Sequence, residues 1–213
     1  MHMNLKACLI GFLLVLNSIT AISQQIALSE EESKDLRIKV VEKSNNTTSI
    51  ISDFIQYKHL DFLSNDIESR GNMVFKAPDL IKWEYNIPFK YSVVFKDGKL
   101  NINDEGVKSK LDLSSNKAFK SLNNLIIKSV KGDMFDDNQF EIEYFKDNTH
   151  YYVRFKPKEK RLKSFINEFM LSFDKETLDV VEVKMIENSE DYTLLKFINQ
   201  EFNKPISNEV FLN

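Results

Sequence analysis

Between Gly71 and Gly98 the chain reads GNMVFKAPDLIKWEYNIPFKYSVVFKDG, and apolar or aromatic residues hold alternate positions through most of it. Met73 and Phe75, then Ile81, Trp83 and Tyr85, then Tyr91, Val93 and Phe95 share one parity, with Lys82, Glu84, Ser92 and Lys96 between them. Period-two alternation predicts strands, because successive side chains of an extended chain point to opposite faces. Pro78 and Pro88 punctuate the run, since neither can donate a ladder hydrogen bond, and Asp97-Gly98 supplies the positive-φ pair of a tight hairpin. Three strands in series follow, antiparallel, with one strongly aromatic face. Such a face must lie against a core, a lid or a ligand.

The rest of the chain extends this pattern. Ser29 followed by Glu32 is a capping box that opens a helix through about Lys43, with Leu36, Val40 and Val41 as its apolar stripe. Ile50 to Leu63 reads as a long strand, and Ile67 to Lys76 as the next after a Ser64-Asn65-Asp66 turn. Leu100 and Ile102, then Val107, Leu111 and Leu113, mark two more. The period then changes: Phe119, Leu122, Ile126 and Val130 fall at spacings of three and four, which predicts an amphipathic helix stopped by Gly132. Phe140 to Phe145, Tyr151 to Lys156, Phe169 to Phe173, Leu178 to Met185 and Tyr192 to Asn199 return to strand-like patterns. About ten strands and two helices, joined by short turns, predict an α+β chain that is mainly β: a single curved antiparallel sheet with helices set against it.

Residues 1–23 stand apart. An apolar block from Ala7 to Leu16 follows Lys6 and leads to Ala21-Ile22-Ser23, a small-x-small pattern. This reads as a secretory signal peptide cleaved after Ser23, because the block is shorter than the ~20 residues that span a bilayer. Residues 24–213 then form one domain. Cleavage removes Cys8, the only cysteine, so the mature chain forms no disulfide, and the formal charge of −3 becomes −4 with the loss of Lys6. A charge that mild gives no reason to expect nucleic acid as a partner. An exported chain without cysteines fits the periplasm.

Chemistry has little to work with. Only His59 and His150 remain after cleavage, no Walker, G-x-S-x-G or dinucleotide fingerprint is present, and acidic pairs such as Glu141 and Glu143 are strand neighbours. The sequence therefore predicts no catalytic residue, no metal site, no cofactor and no enzyme activity. Lys156-Pro157-Lys158-Glu159-Lys160-Arg161, with Lys163, is the one basic cluster, either a solvated loop or a patch for an acidic partner or anionic headgroup. Seventeen phenylalanines against five glycines imply large buried surfaces, which fit a filled interior and a hollow one equally.

Several of these segments, taken in order, resemble the periplasmic outer-membrane lipoprotein carrier (LolA-like) family. Ser49-Ile50-Ile51-Ser52-Asp53-Phe54-Ile55-Gln56 is similar to that family's first strand, and Gly71 to Pro78, Lys82-Trp83-Glu84-Tyr85, Pro88 and Asp97-Gly98 resemble its central signature. Phe155-Lys156-Pro157-Lys158, Phe173-Asp174 and Phe197-Ile198-Asn199 before Asn203 resemble its later strands. The resemblance implies an open half-barrel closed by a helical lid, whose cavity shields the acyl chains of a lipoprotein between inner and outer membranes. It also implies a monomeric carrier that meets an inner-membrane release complex and an outer-membrane acceptor. The cavity lining would be Met73, Phe75, Ile81, Trp83, Tyr85, Tyr91, Val93 and Phe95, with Phe119, Leu122 and Ile126 on the lid. One departure is plain. Well-known members carry Arg immediately before the proline, as a contact to the lid, where this chain has Ala77, placed by strand parity on the face of Met73 and Phe75. Carriers of other lipids or glycolipids, and sensors that only bind lipoproteins, therefore stay open as alternatives.

Overall fold

The ladder of backbone hydrogen bonds gathers every strand among the described residues into one antiparallel sheet of twelve. The computed structural model of the chain describes residues 25–112, 134–187 and 189–212. Its elements are β1 (Ile26–Ala27), α1 (Glu30–Asn45), β2 (Ser49–His59), β3 (Ile67–Lys76), β4 (Leu80–Ile87), β5 (Tyr91–Lys96), β6 (Lys99–Asp104) and β7 (Val107–Asp112). After them come β8 (Phe140–Lys146), β9 (His150–Pro157), α2 (Lys160–Lys163), β10 (Ile166–Asp174), β11 (Val180–Glu187), β12 (Tyr192–Phe202) and a closing 3-10 turn at Asn208–Phe211. The strand order is β1-β8-β9-β10-β11-β12-β2-β3-β4-β5-β6-β7, so the sheet does not close, β1 and β7 being its two edges, and it forms an open half-barrel with α1 set against it.

The three strands of the Gly71–Gly98 stretch are β3, β4 and β5, in register Met73 opposite Trp83 opposite Val93 and Phe75 opposite Ile81 opposite Phe95. The structure differs from the sequence reading in several places. β2 stops at His59 rather than Leu63, because a turn at residues 60–65 begins there. β11 starts at Val180, since Leu178 takes a positive φ of 57° inside the preceding turn. The two-residue β1 is too short for any periodicity to show, and the basic run contains the single turn α2. Leu113 and the amphipathic helix expected around Phe119 to Val130 lie outside the described residues.

Helix α1 begins as its sequence requires. The Ser29 hydroxyl accepts from the Glu32 amide at 3.2 Å while the Glu32 carboxylate accepts from the Ser29 amide at 3.0 Å, so two otherwise orphaned donors are met. Leu36 and Val40 turn inward onto β8, β9 and β10, where they join Phe140, Phe155, Phe169 and Phe173 in one apolar cluster. Phe155 and Phe169 stack at 4.7 Å, and Phe140 meets both edge-on, an arrangement that suits the ring quadrupoles. Arg37 fastens the helix to the segment before β8 through Asp137 (2.6 Å) and the Phe135 carbonyl.

A second cluster occupies the β2–β3–β4 side: Ile50, Phe54, Met73, Phe75, Ile81 and Trp83. Gly71 lets it form. A Cβ there would lie 1.9 Å from the Glu84 carbonyl oxygen and 2.8 Å from the Phe54 ring. On the opposite face the C-terminal segment crosses back over the sheet. Lys76 donates to the Ile206 carbonyl (2.8 Å) and Asn208 Oδ1 (2.6 Å), and the 3-10 turn packs on β4 with Phe211 buried.

Candidate functional site

Between the two clusters lies a cavity of about 140 Å³. Its walls come from both sides: Val40 from α1 and Phe173 from β10 belong to the first cluster, while Ile50, Met73, Ile81 and Trp83 belong to the second. Val180 and Val183 of β11 with Leu195, Phe197 and Phe202 of β12 form the floor that joins them. Strand parity explains the floor. Val183 pairs with Leu195, and Phe197 pairs with Phe54, so these residues face the same way as the aromatic face of β2 to β4, and Val180 and Phe202 rejoin that face past register shifts at Ser172/Phe173 and Ile198/Glu201.

Polar groups gather at one end, where the last turn of α1 meets the β10–β11 turn. Lys43, Ser44, Thr47, Asp179 and Gln200 line that end. Lys43 donates to the Thr177 carbonyl, pairs with the Asp179 carboxylate at 2.5 Å, and lies 5.2 Å from the centroid of the Phe202 ring. Deeper in, the indole N–H of Trp83 is buried with no hydrogen-bond acceptor among the described residues, and its neighbours are the rings of Phe54 (5.1 Å) and Phe197 (6.0 Å). Tyr85 marks the far side of this ring cluster. Its hydroxyl donates to Gln56 Oε1 at 3.0 Å, and burial, with Tyr91 beside it, pushes its pKa up to about 12.

The residues proposed from sequence separate into groups. Met73, Ile81 and Trp83 line the cavity directly. Phe75 is fully buried within the second cluster, behind the wall, and Tyr85, Val93 and Phe95 pack against that cluster. Tyr91 lies at the far rim, half-buried beside Tyr85. Phe119, Leu122 and Ile126 lie outside the described residues. Ala77 falls past the end of β3, exposed in the turn, where its amide donates to the Thr48 carbonyl at 2.9 Å. Strand parity therefore stops one residue short of it. Sequence reasoning missed the β11 and β12 floor and the α1 contribution. Their alternation was visible, but which face of the sheet each strand lends follows only from the pairing of β12 with β2.

Among the described residues no group of three or more His, Cys, Asp or Glu could hold a metal ion, and no helix is long and apolar enough to cross a membrane. The arrangement is an apolar chamber with one charged end.

The family model of the outer membrane lipoprotein carrier protein LolA matches residues 45–212, from the end of α1 through the C-terminal turn. The chain belongs to the LolA family. No curated protein sequence matches it significantly. Solved structures with this fold include MucB, at TM-score 0.53 and 10% identity over 87% of this chain and 64% of that one. The MucA/MucB complex of Pseudomonas aeruginosa is similar at TM-score 0.52 and 10% identity over 85% and 61%. An uncharacterized conserved protein from Thermus thermophilus aligns at TM-score 0.51 and 8% identity over 84% and 92%. This LolA family chain thus spans less than two thirds of MucB's own length, and at such identities the likeness is one of fold.

Proposed function

We propose that the protein is an exported, periplasmic, non-enzymatic carrier that shields the acyl chains of lipoproteins in the half-barrel and moves them from the inner to the outer membrane. The observation that carries this reading is the apolar chamber between two separate core clusters, floored by β11 and β12 and charged at one end. A buried methylene is worth ~0.8 kcal/mol, so an acyl chain of a dozen or more carbons crosses water only when shielded. At about 140 Å³ the chamber has room for a benzene-sized group. Loading therefore requires its walls to part, and the boundary between the clusters is the natural seam. Membership in the LolA family supports the cargo class.

A second reading is favoured by Ala77. With alanine exposed in the β3–β4 turn, no arginine latch reaches a lid from that position, and the chain then carries another lipid or glycolipid, or serves as a lipoprotein-binding sensor. Trp83 is the only tryptophan and lines the chamber, so its emission reports occupancy directly. Titration with a fatty acid or a diacylated lipopeptide should shift that emission and raise the melting temperature. Unchanged emission and melting would contradict a lipid-accepting interior.

A further inference from the structure

Antiparallel pairing brings the β2–β3, β4–β5, β6–β7, β9–β10 and β11–β12 connections to one rim of the half-barrel. Twelve large apolar side chains are strongly exposed among the described residues, and seven of them belong to this rim. Phe62, Leu63 and Ile67 come from the first connection, Ile87 and Phe89 from the second, Val107 from the third and Phe165 from the fourth. Phe62 is 80% exposed and Phe89 70%, values that ordinary scatter of surface apolar residues does not concentrate at one edge.

We infer that this rim is a membrane-docking edge whose occupant is the interface of an anionic bilayer. Three features choose a bilayer over a protein. The apolar groups project from separate turns, as prongs rather than one flat face, and a fluid interface accommodates separated prongs. Tyrosines stand behind the tips: Tyr85 and Tyr91 behind Phe89, and Tyr192, stacked on His59 at 4.7 Å, behind Phe62. Amphipathic rings one layer back from apolar tips suit the headgroup level. Exposed lysines also flank the tips: Lys90 beside Phe89, Lys108 beside Val107, and Lys160 and Lys163 of α2 just before Phe165. The rim also carries acids: Glu68 is paired with Arg70 (2.6 Å) and Glu187 with Lys58, whereas Asp61, Asp66, Asp104, Glu105, Glu190 and Asp191 stand among the other turns, so the positive charge is concentrated at the α2 corner, where Lys158, Lys160 and Lys163 outnumber Glu159. Apolar insertion combined with lysines facing anionic headgroups is the two-part signal that holds a protein at a bilayer surface. The charged end of the chamber, at Lys43 and Asp179, lies toward the opposite rim, so docking leaves it facing water. The inference stands apart from what the chamber carries.

Cosedimentation of the mature protein with vesicles of phosphatidylethanolamine and phosphatidylglycerol tests it. The wild type should sediment with the vesicles. A Phe62→Ser/Phe89→Ser variant should partition at least about tenfold less, with an unchanged melting temperature because both side chains are exposed. Lys160→Glu/Lys163→Glu should weaken binding to these vesicles and not to neutral phosphatidylcholine ones. Val183→Phe, which fills the chamber, should bind like the wild type. Four results would each overturn the inference: wild type left in the supernatant; binding undiminished in the double phenylalanine variant; binding lost in Val183→Phe, which makes it lipid uptake by the chamber; or rim-dependent dimers in sedimentation velocity without vesicle binding.

Discussion

Lys43 of α1 and Asp179 of the β10–β11 turn meet at 2.5 Å across the polar end of the chamber, joining the helix to the sheet wall opposite it. The aspartate side chain is only 16% exposed, and among the described residues its paired oxygen has no well-directed hydrogen bond, so the lysine charge is its main compensation there. Removing that charge leaves a carboxylate stranded in a partly buried site. Lys43→Met should lower stability by about 1–2 kcal/mol, less than for a fully buried pair because the lysine is partly solvated. Lys43→Met with Asp179→Asn should recover most of the loss. Urea midpoints at constant m decide the matter, and additive losses would show that the pair contributes nothing.

The chamber itself is open to test by filling. Val183 lies on its floor, paired with Leu195, and a ring at that position would occupy space that a ligand needs. Val183→Phe should keep the fold, costing about 1–3 kcal/mol through overpacking, and should abolish the response of Trp83 emission to acyl ligands. A variant that binds as well as wild type would place the ligand elsewhere.

Gly71 is a matter of clearance. Its place in the sequence signature reads as a strand glycine, and the structure supplies the reason: the Glu84 carbonyl oxygen stands 1.9 Å from where a Cβ would be. That oxygen belongs to the backbone of β4 and cannot swing aside. Gly71→Ala should therefore cost about 3 kcal/mol or more, seen as a shift of the denaturation midpoint, and should loosen the Phe54–Trp83 contact.

That glycine also shows how far the sequence could be read. The alternation in β3 and β4 is strict because one face of each strand is buried and the other is not, and β5 keeps it although Ser92 and Val94 are buried on its other face, so the three strands and three of the chamber-lining residues were legible. The capping box of α1 was legible because it is a local hydrogen-bond pattern. Phe197 and Leu195 were recognised as strand residues and not as lining, since their face is set by pairing with β2, about 140 positions away. Ala77 was misplaced for a local reason: β3 ends at Lys76, and periodicity carries no warning of the residue at which a strand stops.

Acid should weaken the anchoring of α1. Glu32, hydrogen-bonded to Lys146 and to the Ser29 amide, has its carboxyl lowered from 4.5 to about 2. A lowered folded-state value stabilises the fold above the unfolded value and loses that contribution as pH falls from about 4.5 through about 2. Glu32→Gln should therefore be less stable than wild type near neutrality and converge with it by pH 2. Salt should shrink the difference because the pair is exposed. Thermal melts of both proteins across that range check the sign, and a constant gap would contradict it.

Cargo identity bears most directly on the carrier reading. The protein should be purified from its own envelope and examined by native mass spectrometry, which gives the intact mass of the chain and of whatever rides with it. The account predicts a chain beginning at Gln24, with acylated lipoproteins as the dominant, chemically unaltered companion. Free lipids or glycolipids without lipoprotein, a deacylated product, or a chain still carrying Met1 in the membrane would contradict it.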